Sequence, residues 1–363
     1  MYRRLVKISR KRWNIPAILI VTLVLMLVYP LLIQQRRPKT ILIHNNENLC
    51  STKLSSSMAN SGYSHTVVIV VISSRRNFLQ RKLIRETYGS VKILNDVRIV
   101  AVVFMLGSQD APDASETDIT ELETERAQFG DLIIGDFVDT YRNLSRKSIM
   151  AYDWLVSYCH EADIVVKTDD DVMVNIFKLT EELGLWPQKI PLNIWCAVHF
   201  NEMLNRTETS PYYVSPEEYP NDIAPKHCAG VGYITPMTVV RKIADEISRS
   251  YRGPVCQQED IFMTGIVTEK IQFGKKEPIE LIDRMVQWVM YVIENNPNFT
   301  ELWKVIEQPH NETIDFVEFR RLFGTRLFFL INHGADFETV YRRMWHIVKS
   351  CYHDERGKSS DGS

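Results

Sequence analysis

The stretch VVKTDDDVMVN, residues 165–175, sets three consecutive carboxylates directly behind a short apolar strand. Adjacent like charges repel, and an ordinary turn asks for one Asp rather than three. The surrounding pattern says what kind of strand it is. Residues 65–72, HTVVIVVI, form a continuous β-branched run, as does VRIVAVVFMLG at 97–107. Runs without alternation are strands buried on both faces, typical of α/β sheets. DLIIGDF (131–137) and ADIVVKT (162–168) repeat the theme. Between them lie helical stretches. NFLQRKLIRETYG spaces Phe78, Leu79, Leu83 and Ile84 helically and closes at Gly89. DASETDITELETERAQFG reads as an acidic, exposed helix, and SRKSIMAYDWLVSYC puts Ile149, Tyr152, Val156 and Cys159 on one face. Strands alternating with helices predict an α/β fold with a mainly parallel sheet. Ligands of such sheets sit at the carboxyl ends of the strands, where the Asp triplet lies.

A solvated acidic turn or a helix cap is the plain alternative for the triplet. Its place behind a buried strand favours a metal site, because Asp is a hard oxygen ligand suited to Mg2+ or Mn2+. In an extended D-x-D, Asp169 and Asp171 project to one face and Asp170 to the other. A divalent ion held by one or two carboxylates takes substrate phosphates as its remaining partners, which points to a nucleotide diphosphate. EF-hand spacing is absent, and so are the P-loop and G-x-G-x-x-G signatures.

The N-terminus carries Arg3, Arg4, Lys7, Arg10, Lys11 and Arg12 before IPAILIVTLVLMLVYPLLI, residues 15–33. Nineteen uncharged residues make a helix of about 28 Å, long enough for a bilayer. QQRRPK follows in place of a cleavage site, so a signal anchor is expected, with the basic tail (1–14) cytosolic and the rest lumenal or outside. Beyond residue 40 there remain 34 basic against 45 acidic residues, a net charge of −11. A chain so acidic is no nucleic-acid binder. All six cysteines fall on the lumenal side, where disulfides persist, and the sequence does not choose their pairing. Sequons stand at Asn143, Asn205, Asn298 and Asn311, of which Asn205, Asn298 and Asn311 are taken as glycan acceptors. Residues 34–64 read as a stem, 65–275 as the catalytic domain and 276–363 as a C-terminal helical extension.

RKLIRETYG (81–89), FVDTYRNLSRKS (137–148), KTDDDVMVN (167–175), YYVSPEEYP (212–220), GVGY (230–233) and EDIFMTG (259–265) occur in this order. Together they resemble the blocks of the β-1,3-galactosyltransferase and β-1,3-N-acetylglucosaminyltransferase family, over about residues 65–270. The resemblance implies a GT-A-type nucleotide-sugar-binding fold and a single-pass type II Golgi membrane anchor. It also implies a UDP-sugar donor, Mn2+ dependence and β-1,3 transfer with inversion to an oligosaccharide on a glycoprotein or glycolipid.

By the same resemblance Asp260 is the catalytic base and Asp171 the main metal ligand, with Asp169 supporting it. Asp169 and Asp170 serve the nucleotide and sugar. Arg81, Arg85 and Lys147 match basic motif positions, for contacts to uracil, ribose or diphosphate, or else for helix-face ion pairs. Asp136 faces the nucleotide or caps the next turn. Gly230 and Gly232 let a sugar approach the backbone or serve a tight turn, and Glu259 is assigned to the acceptor. Glu259 and Asp260 also suit a helix N-terminus. The chain departs from the pattern at Tyr88, where the family has Trp, and at His227, where it has an aromatic. No His lies between Asp260 and His310, although relatives carry a metal-ligating His downstream of the acidic motif. His310 and His333 are the nearest downstream, and neither is assigned. The competing reading is a catalytically silent homologue that binds glycan or an active partner.

Overall fold

Val67, Ile69 and Val71 pack into one apolar cluster, and Val68, Val70 and Ile72 pack into another. A single strand thus feeds two cores, so helices cover the sheet on both sides. The computed structural model describes residues 40–51, 62–109, 116–250, 254–272, 278–283, 289–292, 326–331 and 336–360. In chain order they form β1 (Leu42–His44), β2 (His65–Ile72), α1 (Phe78–Glu86), β3 (Ile93–Leu94), β4 (Val97–Gln109), α2 (Glu116–Phe129), β5 (Leu132–Val138), α3 (Leu144–Tyr158), β6 (Ile164–Asp169) and β7 (Val172–Val174). Then follow α4 (Ile176–Gly184), β8 (Asn193–His199), β9 (His227–Pro236), α5 (Met237–Asp245), a π-helical segment (Ile261–Ile266) running into α6 (Val267–Gln272), β10 (Glu280–Asp283), β11 (Val289–Val292), β12 (Phe328–Ile331) and α7 (Phe337–Ser360).

The nine-stranded sheet has the order β1-β5-β4-β2-β6-β9-β8-β10, with β3 beside β4. β5, β4, β2 and β6 are mutually parallel, β9 runs against β6 and β8, and β10 is parallel to β8. The expected α/β architecture with a mainly parallel sheet is therefore present. α1, α4 and α7 cover one face, while α3, α5 and α6 cover the other.

The C-terminal part differs from expectation. It is not a helical extension alone, since β10 continues the main sheet past residue 275. β11 and β12 build a second sheet onto β7, the strand that follows the Asp triplet. β12 donates Ile331 N–H to the carbonyl of Asp171 at 2.9 Å. Phe328, Phe329 and Tyr341 are fully buried in the same core as β2, so β12 and α7 belong to the domain that carries the triplet. α7 lays Trp345 and Tyr352 on Phe177 of α4, with ring centroids 5.4 and 4.6 Å away.

Cys50–Cys159 and Cys196–Cys228 are disulfide-bonded, while Cys256 and Cys351 are buried thiols. Among the described residues no helix is long and apolar enough to cross a membrane. The expected tail and anchor, residues 1–33, lie outside them, as do Asn298, Asn311, His310 and His333.

Candidate active site

The triplet is a turn, not an extended D-x-D. Only Asp169 belongs to β6, and Asp170 and Asp171 make the corner into β7. The corner splits their roles. Asp170 is buried and turned toward the loop after β2, where its Oδ2 accepts from Ser73 Oγ (2.7 Å), Asn77 Nδ2 (2.9 Å) and Ser74 N–H (3.2 Å). Its carboxylate is spent on shaping that loop rather than on open space. Asp169 and Asp171 stay partly exposed.

Lys167, two residues earlier in β6, is buried among acceptors. Its Nζ lies 2.8 Å from Asp169 Oδ1 and 3.3 Å from Glu259 Oε2, and it donates to Gly230 O at 2.5 Å. Burial alone would drive an ammonium to lose its proton, but Asp169 and Glu259 outweigh it and raise the Lys167 pKa. Glu259 is itself buried and accepts from Tyr233 Oη at 3.4 Å, and Tyr233 meets Tyr152 Oη at 3.1 Å. Glu259 therefore fixes Lys167 from within the core and does not line open space. The Asp169 carboxyl is lifted to about 7 by burial first, with Asp171 adding to the rise and Lys167 opposing it. The side chain is still 37% exposed, which tempers the burial effect. Two neighbouring, partly exposed carboxylates at a strand end are a donor set suited to a hard divalent cation. Asp169 and Asp171 thus fit Mn2+ as an open two-carboxylate edge. Among the described residues the triplet does not close into a three-ligand cage.

Asp260 caps the π-helical segment, its Oδ1 accepting from Ile261 N–H at 2.9 Å. The other oxygen faces β9: a Cβ on Gly230 would lie 3.5 Å from Asp260 Oδ2. Gly230 thus leaves a bare strip of backbone before that oxygen, beside Lys167. Gly232 does a different job. A Cβ there would come within 3.0 Å of the Phe328 ring, so this glycine admits the C-terminal strand and not a sugar. Tyr141 and Tyr212 stand edge to face at 5.9 Å, 48% and 58% exposed. Burial first, then Tyr212, Asp260 and Asp169, push the Tyr141 hydroxyl up to about 12, which places it among the acidic groups.

The basic motif residues are held by the protein itself. Arg81 is fully buried, bidentate to Glu125 (2.8 and 2.6 Å), and bonded to Ser73 Oγ and Arg75 O. Arg85 grips Asp131 through two 2.7 Å bonds and Glu125 through a third, between the rings of Phe104 and Phe129. The ion-pair reading holds for both, and neither offers a free charge to a donor. Lys147 is buried between Ser73 O and Asp139 Oδ1, both at 2.6 Å. Asp136 points out of β5 into solvent, its amide paired with Ile41 O. The carboxylate drawn inward is Asp139, which also accepts from Gly107 N–H at 3.0 Å.

Lys167, Tyr141, Tyr212 and Asp139 were missed. A lysine inside a buried apolar strand was the available signal for the first, since buried lysines are paired. The Arg81–Glu125–Arg85 cluster yields a stability test. Glu125→Ala strands a fully buried guanidinium and should cost about 3–5 kcal/mol in denaturant melts. Arg342→Ala removes pairs to Glu86 and Glu338 that are over 40% exposed and should cost no more than about 1 kcal/mol. Equal losses would refute the buried-pair account.

Comparison with known proteins completes the picture. The galactosyltransferase family model matches residues 79–278. The chain is similar to human beta-1,3-galactosyltransferase 5, 32% identical over 211 residues, which is 58% of this chain and 65% of that protein. It is similar to zebrafish lactosylceramide 1,3-N-acetyl-beta-D-glucosaminyltransferase B, 33% identical over 180 residues, covering 49% of this chain and 47% of the relative. Mouse beta-1,3-galactosyltransferase 1 is 32% identical over 205 residues, 56% of this chain and 60% of its own. The chain therefore spans about half to two thirds of these relatives' lengths. Among solved structures, the apo WbbM bifunctional glycosyltransferase aligns at a TM-score of 0.37 with 10% identity over 77% of this chain and 50% of its own, too loosely to argue from.

Proposed function

Since this chain belongs to the galactosyltransferase family, with the β-1,3-galactosyl- and N-acetylglucosaminyltransferases, we propose that it is a UDP-sugar-dependent β-1,3-glycosyltransferase. It moves a hexose or N-acetylhexosamine to an acceptor glycan on a glycoprotein or glycolipid, with inversion, from the lumenal side of the Golgi membrane. The observation that carries this is the pairing of two carboxylate sites across Lys167. One is the open Asp169–Asp171 edge, and the other is Asp260, with one oxygen capping a helix and the other facing bare Gly230. A GT-A-type reading of the fold rests on the same placement at the sheet's carboxyl end.

The chemistry follows from the groups present. An acceptor hydroxyl lying over Gly230 gives its proton to Asp260 Oδ2 as its oxygen attacks the anomeric carbon. Attack opposite an α-linked diphosphate leaves a β-linkage. Asp171 and Asp169 would hold Mn2+, which when bound would supply Lewis-acid neutralisation of the diphosphate's charge. Lys167 keeps Asp169 and Gly230 in register. Tyr141 and Tyr212 offer aromatic faces to a sugar ring. UDP release from a panel of UDP-sugars with Mn2+ and glycan acceptors is the test. No release with any pair would favour the catalytically silent reading.

Support for a lumenal domain comes from the two disulfides and the acidic surface. Asn205 is exposed, whereas Asn143 donates its Nδ2 to Val138 O at 2.8 Å. Endoglycosidase treatment of the membrane-expressed protein should shift its mobility, and Asn205→Gln should remove one glycan while Asn143→Gln removes none. An unshifted protein with a protease-accessible C-terminus in sealed vesicles would overturn the topology.

A further inference from the structure

Beside the candidate active site, three metal-ligating side chains converge at the far end of the β8–β9 pair. His199 ends β8, His227 begins β9 directly opposite it, and Glu202 lies on the turn between. One ligand atom from each lies within 4.8 Å of the other two, the sole such group among the described residues. His199 Nδ1 is 2.6 Å from Glu202 Oε1, His227 Nε2 is 3.7 Å from Glu202 Oε2, and the imidazole centroids are 5.5 Å apart.

The tautomers matter. His227 Nδ1 is 2.8 Å from Pro225 O, which can only accept, so Nδ1 carries the hydrogen. In the neutral ring Nε2 then bears a lone pair aimed at a carboxylate oxygen. Two acceptors facing each other, one on a buried ring and one on a half-exposed carboxylate, favour a proton or a cation between them. A backbone carbonyl that fixes the ring through its other nitrogen is the usual arrangement behind a metal-bound His. The frame is rigid as well. Asn201 adopts a left-handed conformation (φ 57) that turns Glu202 back over the strands, and Glu202 O accepts from Ala224 N–H at 2.8 Å. The Cys196–Cys228 disulfide ties the two strands one residue from His227.

We propose that His199, Glu202 and His227 form a second cation site, separate from the Asp169–Asp171 edge and of different chemistry. Two imidazoles and one carboxylate select a borderline transition cation such as Zn2+, whereas two aspartates select a hard one. Ligands about 2.0–2.1 Å from a tetrahedral ion lie about 3.4 Å apart, between the 2.6 and 3.7 Å separations of the two imidazoles from Glu202. On entry, the ion takes the place of the His199 Nδ1 proton, which moves to the other ring nitrogen. Solvent completes the coordination, since Glu202 is 49% exposed. The ion fastens the root of the 200–226 loop. The far part of that loop carries Tyr212 and reaches the residues before Asp260, with Pro211 O accepting from Gln258 and Glu218 accepting from Gln257 N–H.

The test is Zn2+ titration of the chelator-treated full chain against a chromophoric zinc indicator, with excess Mg2+ to occupy the aspartate edge. Glu202→Gln and His199→Ala alter partly exposed side chains, and thermal melts confirm that both fold. One tight equivalent is expected in the wild type. Each variant should weaken it at least about tenfold, the lower end of what even outer-shell partners contribute. Asp171→Ala should leave it unchanged. Zn2+ should also raise the melting temperature of the wild type and not of the two variants. Equal Zn2+ affinity in wild type, Glu202→Gln and His199→Ala would overturn the site, as would the absence of a tight equivalent in the wild type.

Discussion

Asp260→Asn should lower kcat by about 10²–10⁴-fold, the usual contribution of a positioned general base, and leave UDP affinity near that of the wild type. The substitution separates two roles that the structure gives one side chain. Asp260 Oδ1 caps Ile261 N–H, and an Asn keeps a capping oxygen there, so the helix start survives. Oδ2, facing Gly230, is the atom that loses its ability to take a proton. Turnover and UDP affinity are measured on one preparation, with melting as the folding control. Retained turnover would reduce Asp260 to a cap. Loss of UDP affinity together with turnover would move it into the donor site and leave the base unassigned.

Asp171→Ala should abolish the Mn2+-dependent part of UDP binding in calorimetry, while the fold remains intact. With Asp170 turned away into the loop after β2, Asp169 and Asp171 are the triplet's carboxylates left to hold a hard cation. Asp169 is itself committed in part to Lys167. Removing Asp171 therefore leaves about one carboxylate where Mg2+-like ions take one or two. Asp170→Ala provides the contrast. It strips three hydrogen bonds from Ser73, Ser74 and Asn77, so it should lower the melting temperature. Metal-dependent UDP affinity unchanged in a folded Asp171→Ala protein would take Asp171 out of the site.

The central sheet was legible because unbroken β-branched runs such as 65–72 have few alternatives, and each run became a strand within two or three residues at either end. The triplet's position was legible for the same reason, but its shape was not. Nothing in DDD says that the chain turns after Asp169, because the turn is set by β12 pairing onto β7 from more than 150 residues downstream. That long-range pairing also hid the strands of the C-terminal part, which carry ordinary aromatic and charged residues. The acidic helix α2 read as exposed, yet Leu122 and Glu125 face inward, and Glu125 is what binds Arg81 and Arg85. Sequence alone offered those arginines as ligand contacts or ion pairs, and only the fold brings their partners within reach. Gly232 read as a glycine for a sugar or for a tight turn, and neither reading anticipates Phe328 packed against it. The His199–Glu202–His227 cluster has no motif spacing, since antiparallel register assembles it.

The central claim is that this site performs inverting transfer, and the stereochemistry of the product tests it most directly. The chain is incubated with Mn2+, each of UDP-galactose, UDP-N-acetylglucosamine and UDP-N-acetylgalactosamine, and a panel of glycan acceptors, and the new linkage is read by NMR. The account predicts a β-anomeric proton on a sugar joined at a 3-hydroxyl, appearing with one donor and lost in Asp260→Asn. An α-linked product would contradict it, as would a β-linked product formed at undiminished rate by Asp260→Asn.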